Sequence, residues 1–538
     1  MTLATPRRPA PTPDDVTIEE ALRKYWGYDA LRPLQREAIE AGVASTDSLV
    51  VLPTGGGKSL CYQIPPLVAD RVDIVVSPLI SLMKDQVDAL RACGYPAVAF
   101  HSGLSEVERS QALDAVLAGK TRLVFVAPER LLTPWFMALL ERIKVRAFAI
   151  DEAHCISQWG HDFRPEYRRL AMLKQRFPEA SVHAFTATAT PRVRQDIIRQ
   201  LDLDKPRVLV GRFDRPNLVY RVQPRTDIDQ QVYETVQRHA GEAVIVYCIS
   251  RNDTERLADV LRQRGVKAAA YHAGMDARER SKTQDAFAAE RLDVIVATVA
   301  FGMGIDRSNV RCVIHAALPK SIEHYQQETG RAGRDGLEAE CVLLYAPADY
   351  GRWRFLINKN GAEEEDRAVT NAALDLLQGM QRFAEGRECR HKALSRYFGQ
   401  TLEGDDCKAC DVCLGELQIA TAAPASRASR TETIGWDGVD KLLFERLRAL
   451  RRSVAAEREV AAFVIFSDAT LRELARVRPS TMRSFGGVKG IGERKLADFG
   501  RRFGLEIVSY CREKGIATDV RDVATAPQPR LPRYEAPR

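Results

Sequence analysis

The chain lacks any apolar run near the ~20 residues that a membrane-spanning helix needs, which excludes a helical membrane protein and a membrane partner. It also lacks a secretory signal, because proline-rich polar sequence follows Arg7-Arg8 where an apolar segment would be needed. Cysteine is sparse, and its total of 11 is odd. Without a signal, that total argues against a disulfide framework and for a reducing compartment. A cytoplasmic location is expected, nucleoid-associated if the source is bacterial. Neither sign of charge dominates: 79 Lys and Arg against 72 Asp and Glu leave +7, a mild bias toward an anionic partner. What is present is a globular composition, 45% apolar and 28% charged over 538 residues, enough for roughly three or four domains. Residues 1–16 read as a disordered arm and 518–538 as a disordered, Pro- and Arg-rich tail.

The organising stretch is Leu52-Pro53-Thr54-Gly55-Gly56-Gly57-Lys58-Ser59, which follows the apolar run Ser48–Val51 and opens a helix. Such a loop turns successive backbone N–H groups toward a phosphate chain, at a helix N-terminus of positive dipole. Thr54, Gly55, Gly56 and Gly57 would cradle ATP, Lys58 would reach its β- and γ-phosphates, and Ser59 would hold Mg²⁺. Leu52 stands where the strict pattern has Gly, so the match is to its Gly-Lys-Ser half. Upstream, residues 17–47 read as helical, and Tyr28, Arg32 and Gln35 are candidates for the adenine end. Short apolar runs at 48–52, 73–77, 97–100, 122–126, 145–150 and 181–185 alternate with helical patterns, and a second series follows at 243–248, 267–271, 293–297, 311–315 and 340–345. That alternation predicts βαβ units and parallel sheets in two successive α/β lobes, with chemistry on the loops after the strands.

Asp151-Glu152-Ala153-His154 follows one such strand. A carboxylate there is placed to hold Mg²⁺, and its neighbour to activate the attacking water; these are Asp151 and Glu152. In the second lobe, Gln326 to Gly336 carries Arg331 and Arg334, whose guanidinium forks are suited to a γ-phosphate across a cleft. Taken in order, Leu31-Arg32-Pro33-Leu34-Gln35, the Gly-Lys-Ser loop, Ser77-Pro78-Leu79-Ile80-Ser81-Leu82-Met83, Asp151-Glu152-Ala153-His154, Thr186-Ala187-Thr188, Tyr247-Cys248-Ile249-Ser250-Arg251, Phe301-Gly302-Met303-Gly304-Ile305-Asp306 and Gln327 to Arg334 resemble a superfamily 2 helicase. The set closely resembles RecQ-family DNA helicases.

The resemblance implies two tandem RecA-like lobes (17–212 and 213–346), DNA-stimulated ATP hydrolysis, and 3′–5′ translocation on single-stranded DNA with unwinding of partial duplexes in recombination, repair and replication. Arg334 is the expected arginine finger. Cys155 to Tyr167 looks like the family's aromatic-rich loop, in which Trp159 and Phe163 offer faces to bases and Arg164 binds phosphate or stacks. By resemblance, Ser77 to Gln86, Thr186-Ala187-Thr188, Tyr271 to Gly274 and Ala297-Thr298 are candidate backbone contacts. A single-strand-binding protein or a topoisomerase is a candidate partner, and a monomer is expected.

Cys389, Cys407, Cys410 and Cys413 form a thiolate set suited to a closed, structural Zn²⁺ site. The pattern resembles the RecQ zinc subdomain, a helical module at 347–414; an iron–sulfur cluster, or His391 in place of one thiol, stays open. Residues 437–516 read as helical and resemble the helicase-and-RNase-D C-terminal (HRDC) domain, placed at 436–517. Leu442, Leu443, Leu447 and Leu450 are expected on its apolar face, Asp468 as an N-cap, and Gly490-Ile491-Gly492 at a phosphate. Between Cys413 and Trp436 only the 22 residues 414–435 remain, Ala/Ser/Thr-rich and read as a flexible linker over 415–435. The family's winged helix is therefore expected to be missing. A translocase or annealing factor with weak unwinding is the alternative; a non-catalytic DNA-binding scaffold or an RNA helicase fits the motifs less well.

Overall fold

The computed structural model describes residues 16–302, 307–360, 367–404, 406–417, 436–458 and 460–520. Residues 1–15 of the arm, most of the 415–435 linker, most of the tail and Met303 to Asp306 of the second-lobe motif lie outside the described residues. Among those described, strands β1 (Ser48–Val51), β2 (Asp73–Val76), β3 (Ala97–Phe100), β4 (Leu123–Val126), β5 (Ala147–Ile150), β6 (Ser181–Thr186) and β7 (Arg207–Val210) form one sheet, in the order β3-β4-β2-β5-β6-β1-β7. A second contains β8 (Leu218–Pro224), β9 (Ala243–Tyr247), β10 (Ala268–Tyr271), β11 (Val294–Ala297), β12 (Val310–His315) and β13 (Ala339–Tyr345), in the order β10-β11-β9-β12-β13-β8. Every pairing in both sheets is parallel. Helices cover both faces, so the central strands are buried along their length and mostly apolar.

Two strands were not expected. β7 is an edge strand that is half exposed and begins on Arg207, so it lacks the apolar signature of its neighbours. β8 carries Arg221, which pairs with Glu340 and Glu416, and ends on Pro224; proline is tolerated at an edge. Residues 17–47 form two helices, Ile18–Trp26 and Gln35–Val43. Thr17 and Glu20 close the first with a capping box, and Gly27 ends it at φ 66°.

The zinc-type module is built into the second lobe. Its knuckle pairs with the β8 edge: Tyr220 N donates to Ala409 O at 3.0 Å and Asp411 N to Tyr220 O at 2.9 Å, which covers an otherwise open edge. Buried Arg390 grips Asp411 at 2.9 and 3.1 Å. Phe398 stacks on Phe213 at 4.4 Å, and Arg194 of the first lobe donates to Phe398 O at 2.7 Å. Leu377, Met380, Phe383, Leu394 and Phe398 belong to the same apolar cluster as the cores of the lobes.

The C-terminal helices instead close a core of their own around Leu443, Leu447, Phe466, Leu471, Phe485, Phe503 and Ile507. Two expectations are corrected here. Leu442 is 68% exposed, because the apolar face runs through Leu443, Phe444 and Leu447. The N-cap is Ser467, whose side chain accepts from Thr470 N, while Asp468 pairs with Arg451 at 2.8 Å. This domain lies against both lobes. Glu290, after β10 and before β11, is ringed by Arg451, Arg452 and Arg448. On the first lobe, Gly490 N donates to Gly27 O at 3.4 Å. A Cβ on Gly27 would fall 2.2 Å from Gly492 N, so only glycine permits this approach. The Gly490-Ile491-Gly492 turn, expected at a phosphate, therefore faces the chain's own backbone in this arrangement.

Candidate nucleotide site and nucleic-acid interface

β1 runs into the glycine loop, and the helix Lys58–Gln63 starts directly on the lysine. Lys58 Nζ lies 3.4 Å from Leu52 O, folded over the loop. Ser59 Oγ accepts from Tyr62 Oη at 3.3 Å. Arg32 and Gln35 grip the loop itself: Arg32 donates to Gly55 O, and Gln35 Nε2 to Gly57 O at 2.9 Å, while Gln35 Oε1 accepts from Arg32 N at 2.7 Å. Tyr28 stands exposed beside Gly27.

Asp151 and Glu152 leave β5 at its C-terminal end, as a parallel sheet places its functional loops. Burial, then the neighbouring Glu152 carboxylate, push Asp151 up to about 7, with Lys58 acting the other way. For Glu152 burial also acts upward, but His154, 3.3 Å from its Oε2, outweighs it and holds the carboxyl below the usual range. Glu152 takes a left-handed backbone, φ 49° and ψ 44°. A non-glycine residue there costs roughly 1–3 kcal/mol and persists where the surroundings impose it.

The second lobe meets this loop directly. Arg215, which motif reading missed, donates to Thr54 O at 2.9 Å and to Ala332 O and Gly333 O at 3.0 and 2.8 Å. It ties the glycine loop to the arginine motif. A Cβ on Gly330 would lie 2.8 Å from Thr54 Cβ, and one on Gly55 would lie 3.4 Å from Arg334 Cγ. Arg334 thus lies at the glycine loop. Arg331 is buried beside Tyr247 and Gly302, within its own lobe. Arg215 carries no local sequence signal beyond its place near the junction between lobes.

The loop after Asp151 spans the same junction. His154 stacks on His161 at 4.4 Å, and His161 meets His324 edge-on at 4.8 Å and Gln327 Oε1 at 3.2 Å. His154 Nδ1 also reaches Thr186 Oγ1 at 2.9 Å. A chain of contacts therefore joins Glu152, Thr186, the aromatic loop and the second lobe's arginine-bearing segment. Trp159, Phe163 and Arg164 all lie on this loop, half-buried. Nearby, an interlobe groove of about 710 Å³ is lined by Pro78, Lys84, Arg130, Tyr271, Arg280 and Gln284, among others. Gln284 Nε2 crosses it to Asp85 Oδ2 at 3.2 Å.

The thiols of Cys389, Cys407, Cys410 and Cys413 all lie within 4.8 Å of one another, which suits a four-thiolate metal site. His391 is directed elsewhere: Nδ1 to Asp214 at 2.6 Å and Nε2 toward Leu218 O and Ala409 O at 3.1 and 3.2 Å. It does not replace a thiol.

Comparison with known proteins fits this geometry. Residues 32–197 match the DEAD/DEAH box helicase family and residues 227–336 the helicase conserved C-terminal domain, so the paired lobes define a helicase. Residues 347–414 match the RecQ zinc-binding family and 440–507 the HRDC domain. The ATP-dependent DNA helicase RecQ of Pasteurella multocida (strain Pm70) is 37% identical, covering 90% of this chain and 93% of that protein. Its counterpart in Bacillus subtilis (strain 168) is 36% identical over 92% and 99%. The chain belongs to the RecQ family and is an ATP-dependent DNA helicase. The crystal structure of DUF1998 helicase MrfA bound to DNA and AMPPNP shares the fold, with TM-score 0.53, 16% identity, and coverage of 80% of this chain and 65% of that one.

Proposed function

We propose that this chain couples Mg²⁺-dependent ATP hydrolysis to 3′–5′ movement along single-stranded DNA, opening partial duplexes in recombination, repair and replication. The observation that carries the reading is the meeting of Arg215 and Arg334 with the glycine loop, which supports a nucleotide shared between the two lobes. Thr54 to Gly57 and Lys58 hold the phosphates, and Glu152 orients and deprotonates water. Arg334 is the finger, because it lies at the loop, while Arg331 braces the motif from inside the second lobe. Tyr28 serves the adenine end. Arg32 and Gln35 serve it while shaping the loop.

Ser59 and Asp151 fit Mg²⁺: burial and then the neighbouring Glu152 carboxylate raise Asp151, and a divalent cation would offset both. When bound, the ion would neutralise charge on the β- and γ-phosphates. The four cysteines fit a structural Zn²⁺. Trp159, Phe163 and Arg164 take single-stranded DNA, and the histidine contacts pass that state toward Glu152 and the second lobe. The assigned domains are lobes at 17–212 and 213–346, the zinc module at 347–414 and the HRDC domain at 436–517. Action as a cytoplasmic or nucleoid-associated monomer, with a single-strand-binding protein or topoisomerase as partner, completes the proposal.

A second reading, a translocase with weak strand separation, is favoured by one observation. The alignment with the Pasteurella protein runs over 591 positions, more than the 538 of this chain, so that relative carries segments without a counterpart here. The test is strand separation of duplexes with a 3′ or a 5′ tail, beside DNA-stimulated ATP hydrolysis, for the chain and Lys58→Ala. Separation confined to the 3′ tail and lost with Lys58 supports the first reading. Strong hydrolysis with no separation supports the second. Separation that survives Lys58→Ala defeats both.

A further inference from the structure

The side chains assigned to DNA on the aromatic loop are already engaged by this chain. The guanidinium of Arg192 lies 3.3 Å from the centre of the Trp159 ring, and that of Arg168 lies 4.9 Å from Phe163. Arg164 is held by Asp162 Oδ2 and Pro78 O, each at 3.1 Å. At 3.3 Å a guanidinium is in contact with the ring face, an arrangement that its planar, delocalised charge favours. A stacking base needs that same kind of face, so base and guanidinium compete for the indole.

Local structure explains why Arg192 is there. Thr190 caps the helix Pro191–Gln200, its side chain accepting from Val193 N, and Pro191 opens the first turn. Arg192 follows directly, an exposed residue just beyond Thr186-Ala187-Thr188. The same helix anchors the loop from below. Asp196 accepts from Ser157 Oγ at 2.6 Å, and Ser157 Oγ accepts from Trp159 N at 3.3 Å. One helix therefore fixes the foot of the indole and supplies the cation on its face.

We propose that Arg192 is a positioning residue that occupies the Trp159 face in the DNA-free enzyme and yields it to a base. It thereby sets the DNA concentration at which the loop switches on hydrolysis. The inference rests on the reading of Trp159 as a base-stacking sensor. Removing the guanidinium removes a competitor without removing the sensor: less DNA is needed, and the fully stimulated rate is unchanged. Lysine keeps the charge but presents no planar group to the ring, so Arg192→Lys falls between.

The test is ATP hydrolysis by the full chain titrated with oligothymidylate, for the chain, Arg192→Ala, Arg192→Lys and Trp159→Ala. Arg192→Ala is expected to lower the half-activating oligonucleotide concentration about two- to five-fold, the size of an exposed cation–π contact. The maximal rate is expected to stay the same. A half-activating concentration that is unchanged or raised overturns the proposal; a rise would make Arg192 a DNA contact. Loss of stimulation in Trp159→Ala with no gain in Arg192→Ala defeats this inference alone. Stimulation retained in Trp159→Ala defeats the base-stacking reading on which it rests.

Discussion

The zinc module and the HRDC domain both follow the two lobes in sequence, yet they attach by opposite physics. The first shares its apolar core with the lobes and adds backbone hydrogen bonds to the β8 edge, so it has little hydrophobic interior of its own. The second closes a separate core and touches the lobes through polar and backbone contacts: the arginines at Glu290, Arg448 to Gly241 O at 3.0 Å, Arg494 beside Gly94, and the approach of Gly27 to Gly492. Apolar burial is non-directional and cooperative, whereas a few charged contacts make a separable joint of the kind usual between domains. One appendage is therefore part of the motor's fold, and the other is a domain docked on it.

The largest expected effect lies at the shared joint. Arg390→Ala removes the partner of buried Asp411, both almost inaccessible, and an uncompensated buried charge costs about 3–5 kcal/mol. Because Asp411 also accepts from Val222 N of β8 at 3.0 Å and donates to Tyr220 O at 2.9 Å, the unfolding midpoint of the lobes should fall with it in a denaturant titration. A midpoint shift confined to a small, separate transition would break the comparison.

At the docked joint the expected loss is smaller. After Glu290→Gln, Arg451 still has Asp468 within its own domain, and Arg307 of the second lobe, which loses its facing carboxylate, keeps its bonds to Asn309 Oδ1, Phe287 O and Leu292 O. The unfolding free energies of the lobes and of the HRDC core should each fall by less than the ~3–5 kcal/mol expected for a buried charge left without any partner. Cleavage between residues 417 and 436 by a protease should be faster than in the parent chain.

pH sharpens the same contrast with the smallest effect. Burial acts to raise Glu290, but Arg451 and Arg307 outweigh it and hold its carboxyl below the ordinary 4.5. A lowered carboxylate contributes fully above its unfolded value and loses that contribution as pH falls through the lowered one. Cross-linking of the HRDC domain to the lobes should be constant from about pH 8 to pH 5 and decline only below about 4.5. A decline already near neutrality would point to a different joint.

The two attachments also differ in how far they were legible from residues alone. Gly-Lys-Ser, Asp-Glu-Ala-His and the four cysteines are local patterns whose spacing carries their chemistry, and the structure brings the four thiols together as that spacing implied. β8 was not legible, because Arg221 and Pro224 break its apolar run, its ladder partner is the distant β13, and its other edge is met by a knuckle 189 residues from Val222. Arg215 escaped notice for the same reason: its partners are backbone carbonyls 115 to 161 residues distant. Glu290 and Arg451 lie 161 residues apart, and nothing near either announces the other. Arg32 and Gln35 were read toward adenine, and only packing shows their grip on the glycine loop.

The most direct test of the account is amide hydrogen exchange on the full chain before and after a chelator strips the metal from the four-cysteine site. Metal-binding energy at such a site is folding energy, and exchange reads local opening. Loss of protection along β8 and around Phe213 and Phe398, with protection at Leu447 and Phe503 retained, is the predicted result. Unchanged protection at β8, or a loss that begins in the HRDC core, would contradict it.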